Sequence, residues 1–337
     1  MSEQIENLKA LEAEMEKDSM KGLWVREEEL RVEPKPFGAP RLWKWAKIRS
    51  ALEQAARLVP TNYKGARRAI QLVHPAIGTG TSHTLGFAVQ LVKAGESVYS
   101  HRHTAAAMRF VLEGGEGVYT ITNGEKCIME RGDLVIQPNW GWHNHINETG
   151  EDAVWIDCLD VGLMRLLHTM FQEPHPSEDV RLYNSPIDNA VRNPAALAPV
   201  GGKAKKLVYK WRETLPALTE MLPQDKSPFD GSCMEYLNPA TGGPTFPTFS
   251  CWIQMLDRGE ETQTHRHTAN HLYHAFQGRG TAEVEGQKIV WEEGDFFVVP
   301  NWSWHRHVNG GSQPAILFST TDRPLLEALG VYREESR

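Results

Sequence analysis

Apolar positions along this chain follow two rhythms. Over Glu3–Lys17, Ile5, Leu8, Leu11 and Met15 recur at helical spacing between Glu and Lys, which predicts an amphipathic surface helix or packing arm. Further helices are expected over Ala46–Leu58 and Pro216–Leu222. From Phe87 onward the rhythm changes. The runs Phe87–Leu91, Arg109–Leu112, Gly117–Ile121 and Leu134–Gln137 are rich in Val, Ile, Phe and Tyr and are broken by Lys-Ala-Gly, Gly-Gly and Arg-Gly-Asp. Asn123-Gly124 is suited to a primed hairpin turn. Strands this close together, with no helical stretch between them, predict an antiparallel sandwich or barrel.

The strand pattern occurs twice. VQLVKAGESVYSHRHTAAAMRFVLEG aligns without a gap on IQMLDRGEETQTHRHTANHLYHAFQG, and RGDLVIQPNWGWHNHIN aligns on EGDFFVVPNWSWHRHVN. Gln90 thus pairs with Gln254, Asp133 with Asp295 and Trp142 with Trp304. Two copies of one domain is the economical reading. It divides the chain into a helical arm (1–70), a first barrel (71–170), a linker with short helices (171–245) and a second barrel with a C-terminal tail (246–337). Phe171–Asn193, rich in Pro, Ser and Asp, reads as a crossing loop.

Composition narrows the function classes. The chain has 337 residues, 40% of them hydrophobic, which is enough for two cores. A net charge of -7 argues against a nucleic-acid surface, which normally carries a basic footprint. No apolar run is long enough to span a bilayer, and the charged N-terminal stretch does not read as a signal peptide. Cys127, Cys158, Cys233 and Cys251 form no CxxC pair, so neither a disulfide framework nor a structural zinc site is expected. A cytoplasmic location is the expectation.

Histidine placement carries the chemistry. Of 14 histidines, eight form four His-x-His pairs: His101/His103, His143/His145, His265/His267 and His305/His307. In an extended strand alternate side chains share a face, about 7 Å apart along the chain, so His101 and His103 can reach one ion. His143, after the Pro-Asn-Trp-Gly-Trp turn, supplies a third imidazole; His265, His267 and His305 form a second candidate ion site. Buried histidines satisfied by hydrogen bonds are the alternative for any one of them, but the duplicated spacing favours metal. Three imidazoles suit zinc as well as iron.

Gly95-(five)-His101-Arg102-His103 and Gly132-(five)-Pro138 followed by His143-(three)-Asn147 resemble the two cupin motifs, and the second copy repeats them. The chain therefore resembles an all-β bicupin: two double-stranded β-helix (jelly-roll) barrels with an N-terminal helical extension. HRHTAAAMRFVLEG and WIDCLD are further similar to the gentisate 1,2-dioxygenase group, which includes salicylate and 1-hydroxy-2-naphthoate dioxygenases. That resemblance implies Fe(II) as cofactor. It also implies a reaction in which O2 is inserted between the carboxyl- and hydroxyl-bearing carbons of an aromatic acid. The glutamate ligand of many cupins is absent, with Ala107 and Met108 in its place. Three neutral imidazoles leave a ferrous ion cationic and open, suited to an anionic bidentate substrate.

By the same resemblance, Arg109 holds the substrate carboxylate, His145 the phenolic oxygen or oxygen itself, and Gln90 supports them. Asp157 would accept an imidazole N–H, and one of Arg67 and Arg68 would face the substrate. Copy two has Tyr273 where copy one has Arg109, which assigns catalysis to copy one. Gly86, where relatives carry a bulky aromatic residue, suggests room for a ring substituent or a fused ring. Gentisate is then the default substrate, with 5-nitrosalicylate, chlorosalicylate and 1-hydroxy-2-naphthoate as rivals. The resemblance also implies a homo-oligomer, a tetramer. Competing readings are a non-catalytic small-acid-binding bicupin and a manganese isomerase or decarboxylase. The first would normally lack the histidines present here and the second would keep the glutamate missing here.

Overall fold

A computed structural model describes residues 2–24, 32–60, 67–176, 207–239 and 241–337. Residues Met1–Lys35 form one compact unit and Pro36–Arg337 another. The first unit carries α1 (Ser2–Lys17), whose Ile5, Leu8 and Leu11 are exposed. The second opens with β1 (Arg41–Trp43) and α2 (Trp45–Leu58). Then come β2 (Arg68–Gln71), β3 (Gly86–Val92), β4 (Ser97–His103), β5 (Ala107–Glu113) and β6 (Gly115–Thr122). They are followed by β7 (Glu125–Met129), β8 (Leu134–Gln137), β9 (His143–Asn147), β10 (Ala153–Leu159), α3 (Val161–Leu166) and β11 (Gln172–Pro174).

The second half repeats this order with β12 (Val208–Tyr209), a helix over Trp211–Thr219, β13 (Ser232–Glu235), β14 (Ser250–Leu256) and β15 (His265–His267). It continues through β16 (His271–Gln277), β17 (Arg279–Val284), β18 (Gln287–Glu292), β19 (Phe296–Val299), β20 (His305–Val308) and β21 (Ala315–Thr321). A helix over Arg323–Ala328 and β22 (Glu334–Ser336) close the chain.

Each half is a two-sheet jelly roll. In the first, the order β12-β8-β5-β10-β3-β2 faces β11-β4-β9-β6-β7; in the second, β1-β19-β16-β21-β14-β13 faces β18-β17-β20-β15-β22. Alternation along the strands sorts the side chains. The inward face of the first large sheet carries Val92, Val111, Val135 and Trp155, which form that barrel's interior cluster. Its outward face carries Phe87, Val89, Phe110, Leu134 and Ile156, which join Ile253, Phe276, Phe296 and Phe318 in one core between the barrels. Phe110 stacks on Phe318 at 4.1 Å and 13°. Asn123 and Gly124 both have positive φ (48° and 81°), the primed turn expected between β6 and β7.

Two stretches depart from the sequence reading. The helix expected over Pro216–Leu222 runs over Trp211–Thr219 with Pro216 inside it. Proline there removes only one intrahelical donor, and the buried Leu218 holds the turn in place. The crossing loop contains β11, which returns to pair with β4; its part from residue 177 lies outside the described residues.

The duplication also reaches further upstream than the motifs show. β1-Lys44-Trp45-α2 and β12-Lys210-Trp211-helix are equivalent straps, and each docks on the opposite half. β1 pairs with β19 of the second barrel, and β12 pairs with β8 of the first. Asp295 accepts from Trp45 N–H at 2.9 Å and Lys44 Nζ at 2.7 Å. Asp133 accepts from Trp211 N–H at 2.9 Å and Lys210 Nζ at 2.6 Å. Both carboxylates thus sit at a helix N-terminus, where they satisfy an orphan donor and complement the helix dipole.

Candidate metal centre

The pairing of β4 with β9 sets His101 opposite His143, after an irregularity between Val98 and His101 that turns the His-x-His pair inward. Ring centroids of His101 and His143 are 4.1 Å apart, and those of His103 and His143 4.8 Å. One ligand nitrogen from each of the three lies within 4.8 Å of the others. Each Nδ1–H donates to a main-chain carbonyl: His101 to Tyr99 at 3.2 Å, His103 to Ala105 at 2.8 Å and His143 to Gly141 at 3.0 Å. This fixes the tautomer and leaves the Nε2 lone pairs facing one another. The His143 Nε2 is buried without a hydrogen-bond partner.

Burial pushes the His101 imidazolium down to about 2 and that of His103 to about 4, with the Arg67 charge adding to both. His143 is held well below the ordinary range by its burial. The three are therefore neutral at physiological pH, the form that ligates metal. The donor set fits a divalent ion that accepts imidazole nitrogen.

The remaining predicted residues come from the facing sheet. Arg109 on β5 lies opposite Asp157 on β10, and Gln90 on β3 lies opposite Trp155. All share the inward face. Arg109 is 2% exposed, and its Nε is 3.5 Å from Asp157 Oδ1. Burial lowers the guanidinium to about 10, so it stays charged, and burial also raises the Asp157 carboxyl. The pair is loose for a charge-assisted contact. Arg109 Nε and Nη1 and the Gln90 Nε2 have no hydrogen-bond partner. Buried donors of this kind are costly unless a ligand satisfies them. His145 lies beside Trp155, with ring centroids 4.8 Å apart, and its Nδ1 is likewise unpartnered.

Of the two upstream arginines, Arg67 reaches the site, with its guanidinium on His101 Nε2. Arg68 is held away by Glu96 and by Val59 O at 3.0 Å. One expectation is corrected. Asp157 takes no imidazole N–H among the described contacts; the ligand Nδ1 atoms use main-chain carbonyls, and Asp157 partners Arg109. A Cβ on Gly86 would lie 3.1 Å from Val161 Cγ2 and 3.4 Å from Gln71 Nε2, so these two side chains border that position.

The two tryptophans at the rim, Trp140 and Trp142, sandwich Arg102 at 4.4 Å each, and Arg102 bonds Glu173 of β11 at 2.6 Å. Arg266 repeats this between Trp302 and Trp304 with Glu335 of β22. The second barrel also repeats the histidine cluster, with His265, His267 and His305 within the same 4.8 Å limit. It lacks the other wall: Tyr273 and Ser319 are paired where the first barrel pairs Arg109 and Asp157.

The Cupin domain family matches residues 88–161 and 252–321, one span in each barrel. A 5-aminosalicylate 1,2-dioxygenase from Comamonas sp is 39% identical over 98% of this chain and 90% of that protein. A 1-hydroxy-2-naphthoate 1,2-dioxygenase from Nocardioides sp. (strain KP7) is 35% identical over 98% of this chain and 88% of its own length. The crystal structure of salicylate 1,2-dioxygenase from Pseudoaminobacter salicylatoxidans with gentisate superposes with a TM-score of 0.86 at 32% identity, covering 98% of this chain and 94% of that one. With its duplicated cupins and near full-length similarity, the chain belongs to the bicupin family of gentisate, salicylate and 1-hydroxy-2-naphthoate 1,2-dioxygenases.

Proposed function

We propose that the N-terminal barrel is the active site of an Fe(II)-dependent dioxygenase. It would cleave the ring of a salicylate-type acid between the carboxyl- and hydroxyl-bearing carbons and insert both atoms of O2. The observation that carries this reading is the pairing of a three-histidine cluster with a buried, under-bonded Arg109 in one barrel only. His101, His103 and His143 would hold the iron. Bound there, Fe(II) supplies open coordination positions and the electrons that activate dioxygen beside a chelated substrate.

The chain's own residues do the rest. Arg109 offers its unpartnered Nη1 donor to the substrate carboxylate inside a buried wall, where a guanidinium charge discriminates strongly for an anion. Asp157 keeps that guanidinium oriented through Nε. His145, kept neutral by burial and with Nδ1 unpartnered, is able to hydrogen-bond the phenolic oxygen. Gln90 Nε2 donates to the developing oxyanion. Arg67, freed from His101 Nε2 once a metal takes that lone pair, presents a second cation to the dianionic substrate.

The substrate class we favour is a salicylate substituted para to its hydroxyl, such as gentisate or 5-aminosalicylate. Support comes from the 5-aminosalicylate enzyme at 39% identity. A cytoplasmic homotetramer belongs to the same proposal. Among the described residues no helix is long and apolar enough to cross a membrane.

Oxygen-electrode assays of iron-replete protein with gentisate, 5-aminosalicylate, salicylate, 5-nitrosalicylate, chlorosalicylate and 1-hydroxy-2-naphthoate test the reading. Uptake is expected, fastest with the first two. No uptake with any acid would leave a non-catalytic acid-binding protein. Arg109→Ala should lower kcat/KM by about 100- to 1,000-fold with iron retained; loss of iron instead would mean Arg109 serves the metal.

A further inference from the structure

We propose that the C-terminal barrel holds a second divalent transition-metal ion, of the zinc or ferrous class, through His265, His267 and His305, and that this ion is structural. The Nε2 atoms of all three are buried without a hydrogen-bond partner, and all three rings converge. Their Nδ1 protons are spoken for: His267 donates to Ala269 O at 2.9 Å, His305 to Ser303 O at 2.9 Å, and His265 to Glu334 Oε1 at 3.2 Å. Three lone pairs are thus turned toward one point with no proton to meet them. Unsatisfied buried acceptors are costly, a burden that an electrophilic ion relieves at all three at once.

The surroundings differ from the first barrel in the direction of retention. Glu334 is a carboxylate on a ligand histidine, an arrangement that raises imidazole basicity and tightens metal binding. It lies opposite His267 in β22, where β11 of the first half has Gln172 opposite His103. Tyr332 OH donates to its other oxygen at 2.9 Å. Phe229 stacks flat on His265 at 4.7 Å and 9°. A small pocket of about 50 Å³ beside the cluster is lined by His265, His267, Asp230, Gln254 and Glu334, room for an ion with its water. With Tyr273 and Ser319 replacing the arginine–aspartate pair, the barrel has kept the ion's ligands and lost the substrate's. The ion would pin the C-terminal strand to the barrel through Glu334 and His265.

The test is metal stoichiometry of the full-length protein, stripped with chelator and reloaded anaerobically with Fe2+ alone or Zn2+ alone. Two equivalents per chain are expected in the wild type, one in His305→Ala and one in His143→Ala. Saturation of the wild type at one equivalent that only His143→Ala abolishes would overturn the second site and leave the first standing; one equivalent that only His305→Ala abolishes would do the reverse. Should His305→Ala fail to fold, Glu334→Gln decides the matter by chelator competition. The one equivalent that survives in His143→Ala should lose affinity 10- to 100-fold in the Glu334→Gln background. An unchanged affinity there overturns the assignment.

Discussion

Arg109 and Asp157 face each other across adjacent strands with a gap too long for a tight ion pair, and both are buried. Replacing Asp157 by Asn removes the charge that orients the guanidinium while keeping the shape. Asp157→Asn is expected to raise KM for the acid and lower kcat/KM by about 10-fold with metal content unchanged, as steady-state kinetics and metal analysis would show. Arg68→Ala, by contrast, should weaken stability through loss of its Glu96 and Val59 contacts without a comparable kinetic effect. The convergence of His101, His103 and His143 was legible because alternate strand positions share a face, whereas Arg109, His145 and Gln90 were singled out only by the family resemblance. The role of Asp157 was not, since whether a carboxylate meets an imidazole or a guanidinium depends on cross-strand register. The choice between Arg67 and Arg68 turned on which way a two-residue step points at the start of β2.

At the scale of elements, the strands followed from period and turn chemistry, the second copy from the repeat and the jelly-roll form from the family resemblance, whereas the straps escaped notice. Lys44-Trp45 and Lys210-Trp211 are too short a match to signal a repeat, and their meaning lies in what they dock against. Each tryptophan covers a glycine of the opposite half. A Cβ on Gly132 would lie 2.5 Å from Trp211 Cγ, and one on Gly294 2.5 Å from Trp45 Cγ, with φ of +85° and +91° at the two glycines. Gly132→Ala therefore combines left-handed strain with a backbone-proximal clash. A destabilisation of about 2–4 kcal/mol is expected in chemical denaturation, with a similar loss for Gly294→Ala.

For the whole molecule, the core between the barrels contains an ionisable group. His274 lies against Phe296 at 4.5 Å between ring centroids, and burial pushes its imidazolium down to about 3. An unfolded imidazole protonates near 6.5. The stability gained by keeping His274 neutral is therefore complete above about pH 6.5 and drains away as the pH falls toward 3, because the unfolded chain binds a proton that the fold refuses. His274→Phe should flatten the stability profile over that window, as denaturant titrations at stepped pH would reveal.

The exchanged straps make each barrel depend on the other half of the chain. The first barrel takes an edge strand and the Trp211 cover over Gly132 from the second half, and the second barrel takes β1 and the Trp45 cover over Gly294 from the first. Cut between the copies, neither half would carry its own edge, so the two are expected to unfold in a single transition rather than one after the other.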